Sequence, residues 1–195
     1  MKVMVIYAHP YDKSYNHAIL ESTLEGLKEG NHEIDLVDLN KDGFNPVMTC
    51  EELHAHCICN KPIDPKVLDY QSRIEAAQHL VFIFPMWYQS GPAILKGFLD
   101  KVFSNGWAYK HFPGKHTAVG QLTHLNATVI STMGMPKMVY RLLYHNALKG
   151  ELIKGTLKFS GIKSVKWINL DKVPMVSDEK RNKWLVDIKE HMKKL

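Results

Sequence analysis

The chain has 195 residues, 45% of them hydrophobic and 23% charged, a balance that suits one globular domain over residues 1–195 and excludes a disordered polyelectrolyte. Its longest apolar run, residues 80–88, is interrupted by Pro85 and falls far short of the roughly 20 residues that cross a bilayer. The formal net charge of +5 hides a polarity: residues 1–97 carry 8 Lys/Arg against 13 Asp/Glu, and residues 98–195 carry 17 against 7.

A basic half suits nucleic acid, an anionic membrane or a small phosphorylated ligand. No recognised module or ladder of interleaved basic and aromatic residues is present, which argues against nucleic acid. Met1-Lys2 leads into a short apolar run without a small-residue cleavage site, so a cytoplasmic location is expected. Three cysteines, Cys50, Cys57 and Cys59, do not make a secreted disulfide framework.

The first expected strand covers residues 2–8. A polar loop from His9 follows, delivering Ser14, Tyr15 and Asn16 to the start of a helix over residues 14–29, whose stripe is Leu20, Leu24 and Leu27. Residues 1–25 contain no glycine, which removes both the Gly-rich dinucleotide fingerprint and the Walker loop. Free amides at a helix start, joined by hydroxyl and amide side chains, suit a phosphate. The second strand, residues 32–38, opens a long connection over residues 40–65. There Cys50, His54, His56, Cys57 and Cys59 crowd together with the softness of metal ligands but no standard zinc spacing. We read this stretch as a lid segment packed at a dimer interface, with no metal.

The third strand, residues 80–84, is continuously apolar, as when both faces of a parallel sheet are covered. It ends in Pro85, Met86, Trp87 and Tyr88, an aromatic wall suited to a flat heterocycle. A helix over residues 92–103 then carries Ile94, Leu95, Phe98, Leu99 and Val102 on a broad apolar face, expected to meet a second copy. After a second long connection, residues 103–126, the fourth strand at residues 127–131 ends in Ser131, Thr132, Met133 and Gly134, a turn that lets a ring approach the backbone. A fifth strand at residues 165–170 and a final helix capped by Ser177 or Asp178 complete the chain. Alternation of this kind implies a doubly wound α/β sheet with right-handed crossovers, whose ligand lies beyond the carboxyl ends of the strands.

His9-Pro10 with Ser14-Tyr15-Asn16, Phe44-Asn45-Pro46, Phe84-Pro85-Met86-Trp87, Pro92 to Gly97, Gly106-Trp107-Ala108-Tyr109 and Leu157 to Gly161 together resemble the flavodoxin-like NAD(P)H:quinone oxidoreductases. That group contains DT-diaphorase, the modulator-of-drug-activity enzymes and the ancillary subunits of potassium-efflux transporters. The resemblance covers almost the whole length. It implies a five-stranded parallel sheet in the order 2-1-3-4-5 with helices on both faces. It also implies a flavin whose phosphate is held by His9, Ser14, Tyr15 and Asn16. The ring would lie against Pro85, Met86, Trp87 and Tyr88 and touch Ser131, Thr132 and Gly134.

The implied reaction is ping-pong hydride transfer from NAD(P)H to a quinone in a homodimer. Tyr140 or Tyr144 with His145 are the expected catalytic pair, and the short chain favours FMN over FAD. An alternative from the same resemblance is a regulatory subunit of a potassium-efflux transporter. The positive net charge counts against an electron-carrier flavodoxin.

Overall fold

In a computed structural model, described for residues 1–58, 62–114 and 117–195, the first half of the chain contains β1 (Lys2–Tyr7), α1 (Tyr15–Glu29), β2 (Glu33–Asp38), α2 (Cys50–Cys57), α3 (Pro65–Ala76), β3 (His79–Pro85) and α4 (Ala93–Val102). The second half contains β4 (Tyr109–Lys110), β5 (Val119–Gly120), β6 (Asn126–Thr132), α5 (Lys137–Tyr144), a π-helix (Lys149–Lys158), β7 (Ser164–Leu170) and α6 (Asp178–Lys193). Five strands pair in parallel in the order β2-β1-β3-β6-β7, the expected order once the short antiparallel pair β4–β5 is set apart.

The period of two in a strand sorts the core. Met4, Ile6, Leu80, Phe82, Phe84 and Val129 face one layer, closed by Val67, Tyr70 and Ile74 of α3 and by Leu95, Phe98 and Val102 of α4. Val3, Val5, Tyr7, Val81, Ile83 and Ile130 face the other, closed by Ile19, Leu20 and Leu27 of α1 and by Ile188 and Met192 of α6. Both faces of β3 are covered, which explains its unbroken apolar run.

The apolar face of α4 does not meet a second copy. Leu95, Phe98, Leu99 and Val102 are buried in the protein's own core, so this expectation is corrected: the breadth of the stripe reflects packing between the sheet, α3 and the segment before α2. Gly97 makes that packing close, since a Cβ there would lie 2.3 Å from the Pro46 carbonyl oxygen.

The first long connection has structure of its own. Thr49 and Glu52 form a capping box at the start of α2, and Asp64 caps α3 ahead of Pro65. Lys101, buried at 6% exposure, pins the two helices to α4. Its Nζ lies 2.8 Å from Glu52 and 2.9 Å from Asp64 and donates to the Asn45 carbonyl at 3.2 Å. Burial opposes the ammonium charge, but the two carboxylates outweigh it and hold the pKa above the ordinary lysine value.

Candidate functional site

The carboxyl ends of β1, β3 and β6 adjoin, which brings the loops leaving them to one edge of the sheet, where a doubly wound fold places its ligand crevice. On one side stands the start of α1. Ser14 is its N-cap, with Oγ accepting from the His17 amide at 3.2 Å, so the amides of Tyr15 and Asn16 head the helix without a partner one turn back. Asn16 is buried. Its Nδ2 donates to Thr132 Oγ1 at 2.9 Å, while its Oδ1 has no partner. The Tyr7 hydroxyl at the end of β1 is also buried; it lies beside Ser14 without a hydrogen bond of ordinary geometry, and burial raises its pKa. Such orphaned groups are rare in a folded interior. The Tyr7 hydroxyl and the positive end of the α1 dipole suit a phosphate-bearing ligand, whereas Asn16 Oδ1 can only accept, as from a ligand hydroxyl or N–H.

His9 closes the same edge. Burial lowers its pKa, keeping the ring neutral at pH 7. Its Nδ1 accepts from the Tyr11 amide at 3.1 Å, so the neutral ring carries its proton on Nε2, a donor free for an anion. Its imidazole stands edge-on to the Trp87 indole at 6.3 Å between centroids, joining the phosphate side of the crevice to the wall that follows β3.

That wall is a tight turn. Met86 donates its amide to the Thr132 carbonyl at 2.8 Å, and Trp87 and Ser90 exchange backbone hydrogen bonds. Between them Tyr88 and Gln89 both take left-handed φ, 46° and 72°, unusual and strained for residues other than glycine. Two contacts hold the turn. The buried Tyr140 hydroxyl donates to the Gln89 carbonyl at 3.1 Å, and Ser90 Oγ donates to Glu151 at 2.6 Å. The result presents the Trp87 indole half in solvent and Tyr88 fully exposed. Past the end of β6, a Cβ on Gly134 would meet nothing within 4 Å, leaving open space there.

The expected site residues thus divide. His9, Ser14, Asn16, Pro85, Met86, Trp87, Tyr88, Thr132 and Gly134 lie at the carboxyl ends of β1, β3 and β6 or in the loops leaving them, tied together by the Asn16–Thr132, Met86–Thr132 and His9–Trp87 contacts. Tyr15 offers only its amide, because its hydroxyl donates to the Arg181 carbonyl at 2.8 Å and its ring packs against the layer of α1 and α6. The Ser131 hydroxyl is turned into the sheet, donating to Asn169 and accepting from Trp167, and positions β6 against β7.

Tyr140 is fully buried, accepts from the Leu148 amide at 2.8 Å as well as donating to Gln89, and has a pKa raised by burial. It is a positioning residue for the turn. His145, at the left-handed end of α5, is exposed, and Tyr144 stacks on Tyr140. Sequence reading missed Tyr7 and Glu151. Tyr7 lies within an apolar strand pattern, and Glu151 reaches Ser90 from a distance of 61 residues. Cys50 and Cys57 are exposed free thiols on α2, Cys59 lies outside the described residues, and among the described residues no three His, Cys, Asp or Glu side chains assemble to hold a metal.

The profile of a family described by its flavodoxin-like fold matches residues 1–194. A protein of Haemophilus influenzae named an uncharacterized NAD(P)H oxidoreductase is 29% identical over 184 residues, 93% of this chain and 89% of that one. A crystallised protein of Streptococcus mutans UA159 superposes with a TM-score of 0.89 at 31% identity, covering 100% of both chains. An NAD(P)H:quinone oxidoreductase of Methanothermobacter marburgensis superposes with a TM-score of 0.89 at 26% identity, covering 99% of this chain and 98% of its own.

Proposed function

Since the chain belongs to the flavodoxin-like family that includes NAD(P)H oxidoreductases and quinone reductases, we propose that it is a flavin-dependent enzyme passing two electrons, as hydride, from NAD(P)H to quinones or related acceptors. The observation that carries this reading is the pairing, in one crevice, of an anion cradle with an open aromatic wall. The buried Tyr7 hydroxyl and the head of α1 form the first, and the exposed Trp87 after β3, with the open space at Gly134 after β6, forms the second.

A bound flavin supplies the hydride-carrying chemistry. The chain's own residues do the rest. Ser14, the leading amides of α1 at Tyr15 and Asn16, and the Nε2–H of His9 bind the phosphate; Pro85, Met86, Trp87 and Tyr88 orient the ring. The open space at Gly134 receives nicotinamide and acceptor in turn, a ping-pong order. The single short cradle favours FMN.

A second copy completes the enzyme as a homodimer in the cytoplasm. Its docking place is a groove of about 500 Å³ lined by Met48, Leu53, Phe103, Tyr109 and Phe159. The groove also carries Lys96 and Asp100, a self-complementary pair of charges as a two-fold contact requires. Dimer is the expected species in sedimentation at micromolar concentration.

Purified protein is expected to be yellow and to bleach anaerobically on addition of NADH or NADPH, with FMN in the acid extract. Colourless protein that neither FMN nor FAD reconstitutes would overturn the reading.

A further inference from the structure

Helix α5 is turned inside out. Only Tyr140 is buried, and Met138 and Leu142, one turn apart on the opposite side, are 72% and 65% exposed. Val139, Leu143 and Tyr144 are exposed beside them. Monomers rarely leave such a contiguous apolar patch in water without a use.

The charge around this patch is predominantly positive, with Glu151 bonded to Ser90 and Asp171 to Lys137 as the nearby carboxylates. Residues 101–150 contain no Asp or Glu. Arg141 lies on α5 itself and Lys149 opens the π-helix after it, and neither has an ion pair among the described residues. Lys137 is the exception, with its Nζ 3.8 Å from Asp171 of the loop after β7. Apolar side chains with only cations among them match a layer of anionic headgroups over acyl chains. A second copy matches less well, because a two-fold contact would set Arg141 and Lys149 against themselves while the nearest carboxylates, Glu151 and Asp171, are engaged by Ser90 and Lys137. The patch also borders the crevice: Gly134 leads into α5, and Tyr140 holds the turn that presents Trp87 and the fully exposed Tyr88.

We propose that α5 is an interfacial helix that docks the protein on an anionic lipid surface through Met138, Leu142 and Leu143, with Arg141 and Lys149 on the headgroups, holding the mouth of the crevice at the membrane plane. The consequence for substrate class rests on the reductase reading: the acceptor is a lipophilic quinone drawn from the bilayer. The docking itself does not depend on that reading.

The test is co-sedimentation of the flavin-loaded protein with phosphatidylglycerol-containing vesicles, with pure phosphatidylcholine vesicles as the control. Sedimentation velocity is run on the same samples. The wild type is expected to bind only the anionic vesicles, and less in high salt. Arg141→Glu is expected to weaken binding at least about fivefold and Met138→Glu with Leu142→Glu to abolish it, while both variants reduce a water-soluble quinone at the wild-type rate.

No binding to anionic vesicles, equal binding to neutral ones, or dissociation of a wild-type dimer by the paired glutamates would each overturn the proposal, the last by showing that a second copy covers α5. Protein that binds vesicles but holds no flavin would instead remove the reductase reading and leave the docking in place.

Discussion

Asn16 is expected at a phosphate cradle from its place at a helix start; its buried bond to Thr132, 116 positions away, is invisible in sequence. Thr132→Val takes away the acceptor of a buried amide while keeping the side chain's volume. It is expected to lower flavin affinity about tenfold, measured by fluorescence titration of the stripped protein. Trp87→Ala removes the exposed wall and is expected to release flavin during gel filtration; unchanged affinity would take Trp87 out of the ring site. Tyr140→Phe leaves the Leu148 amide and the Gln89 carbonyl short of a partner, an expected loss of about 1–2 kcal/mol in chemical denaturation. The pH profile of turnover is expected to stay unchanged, because the hydroxyl positions the turn and exchanges no proton with substrate. Ser131 shows the limit of reading by type: a small hydroxyl at a strand end looks outward in sequence, yet Trp167 and Asn169 on the next strand take both of its bonds.

The strands and the helices α1, α4 and α6 follow from periodicity and caps, and their ends differ from expectation by one or two residues. Helices α2 and α3 were legible in principle, through the Thr49–Glu52 box and the Asp64-Pro65 start. The π-helix was not: its bonds reach one residue further than those of an α-helix, and Gly150 and Gly155 break the stripe that would have announced a helix. The apolar breadth of α4 was legible but misassigned, since sequence does not say which surface covers a face. The ion cluster that holds α2 gives an element-scale prediction. Lys101→Met leaves Glu52 and Asp64 facing each other without a cation, an expected loss of about 3 kcal/mol in denaturant unfolding. Hydrogen exchange is expected to accelerate across residues 50–57 before it does so in the sheet.

At the scale of the whole molecule, the sheet is sealed at its amino end by a buried histidine. His79 Nε2 lies 2.9 Å from Thr128 Oγ1, and burial, with lesser repulsion from His191 and His32, pushes its pKa down to about 4. In the unfolded chain the ordinary value is about 6.5. Below that value the unfolded state binds a proton that the folded state refuses, so stability falls as the pH drops from about 6.5 toward 4 and is fully present above that window. Denaturation at pH 7 and pH 5 is expected to differ by about 2 kcal/mol from this group, and His79→Gln is expected to flatten that part of the profile.

The fold order itself was legible, because alternating strands and helices admit few right-handed arrangements. The crevice was legible only as a set of strand ends, since its members meet across most of the chain's length. Its construction also has an order in time. The ribosome delivers Asn16 early, but its partner Thr132 arrives 116 residues later, and the Trp167 and Asn169 that fix neighbouring Ser131 arrive later still. A nascent chain therefore holds half a cradle until Thr132, Trp167 and Asn169 have emerged, and a ligand of that cradle finds it whole only after that point.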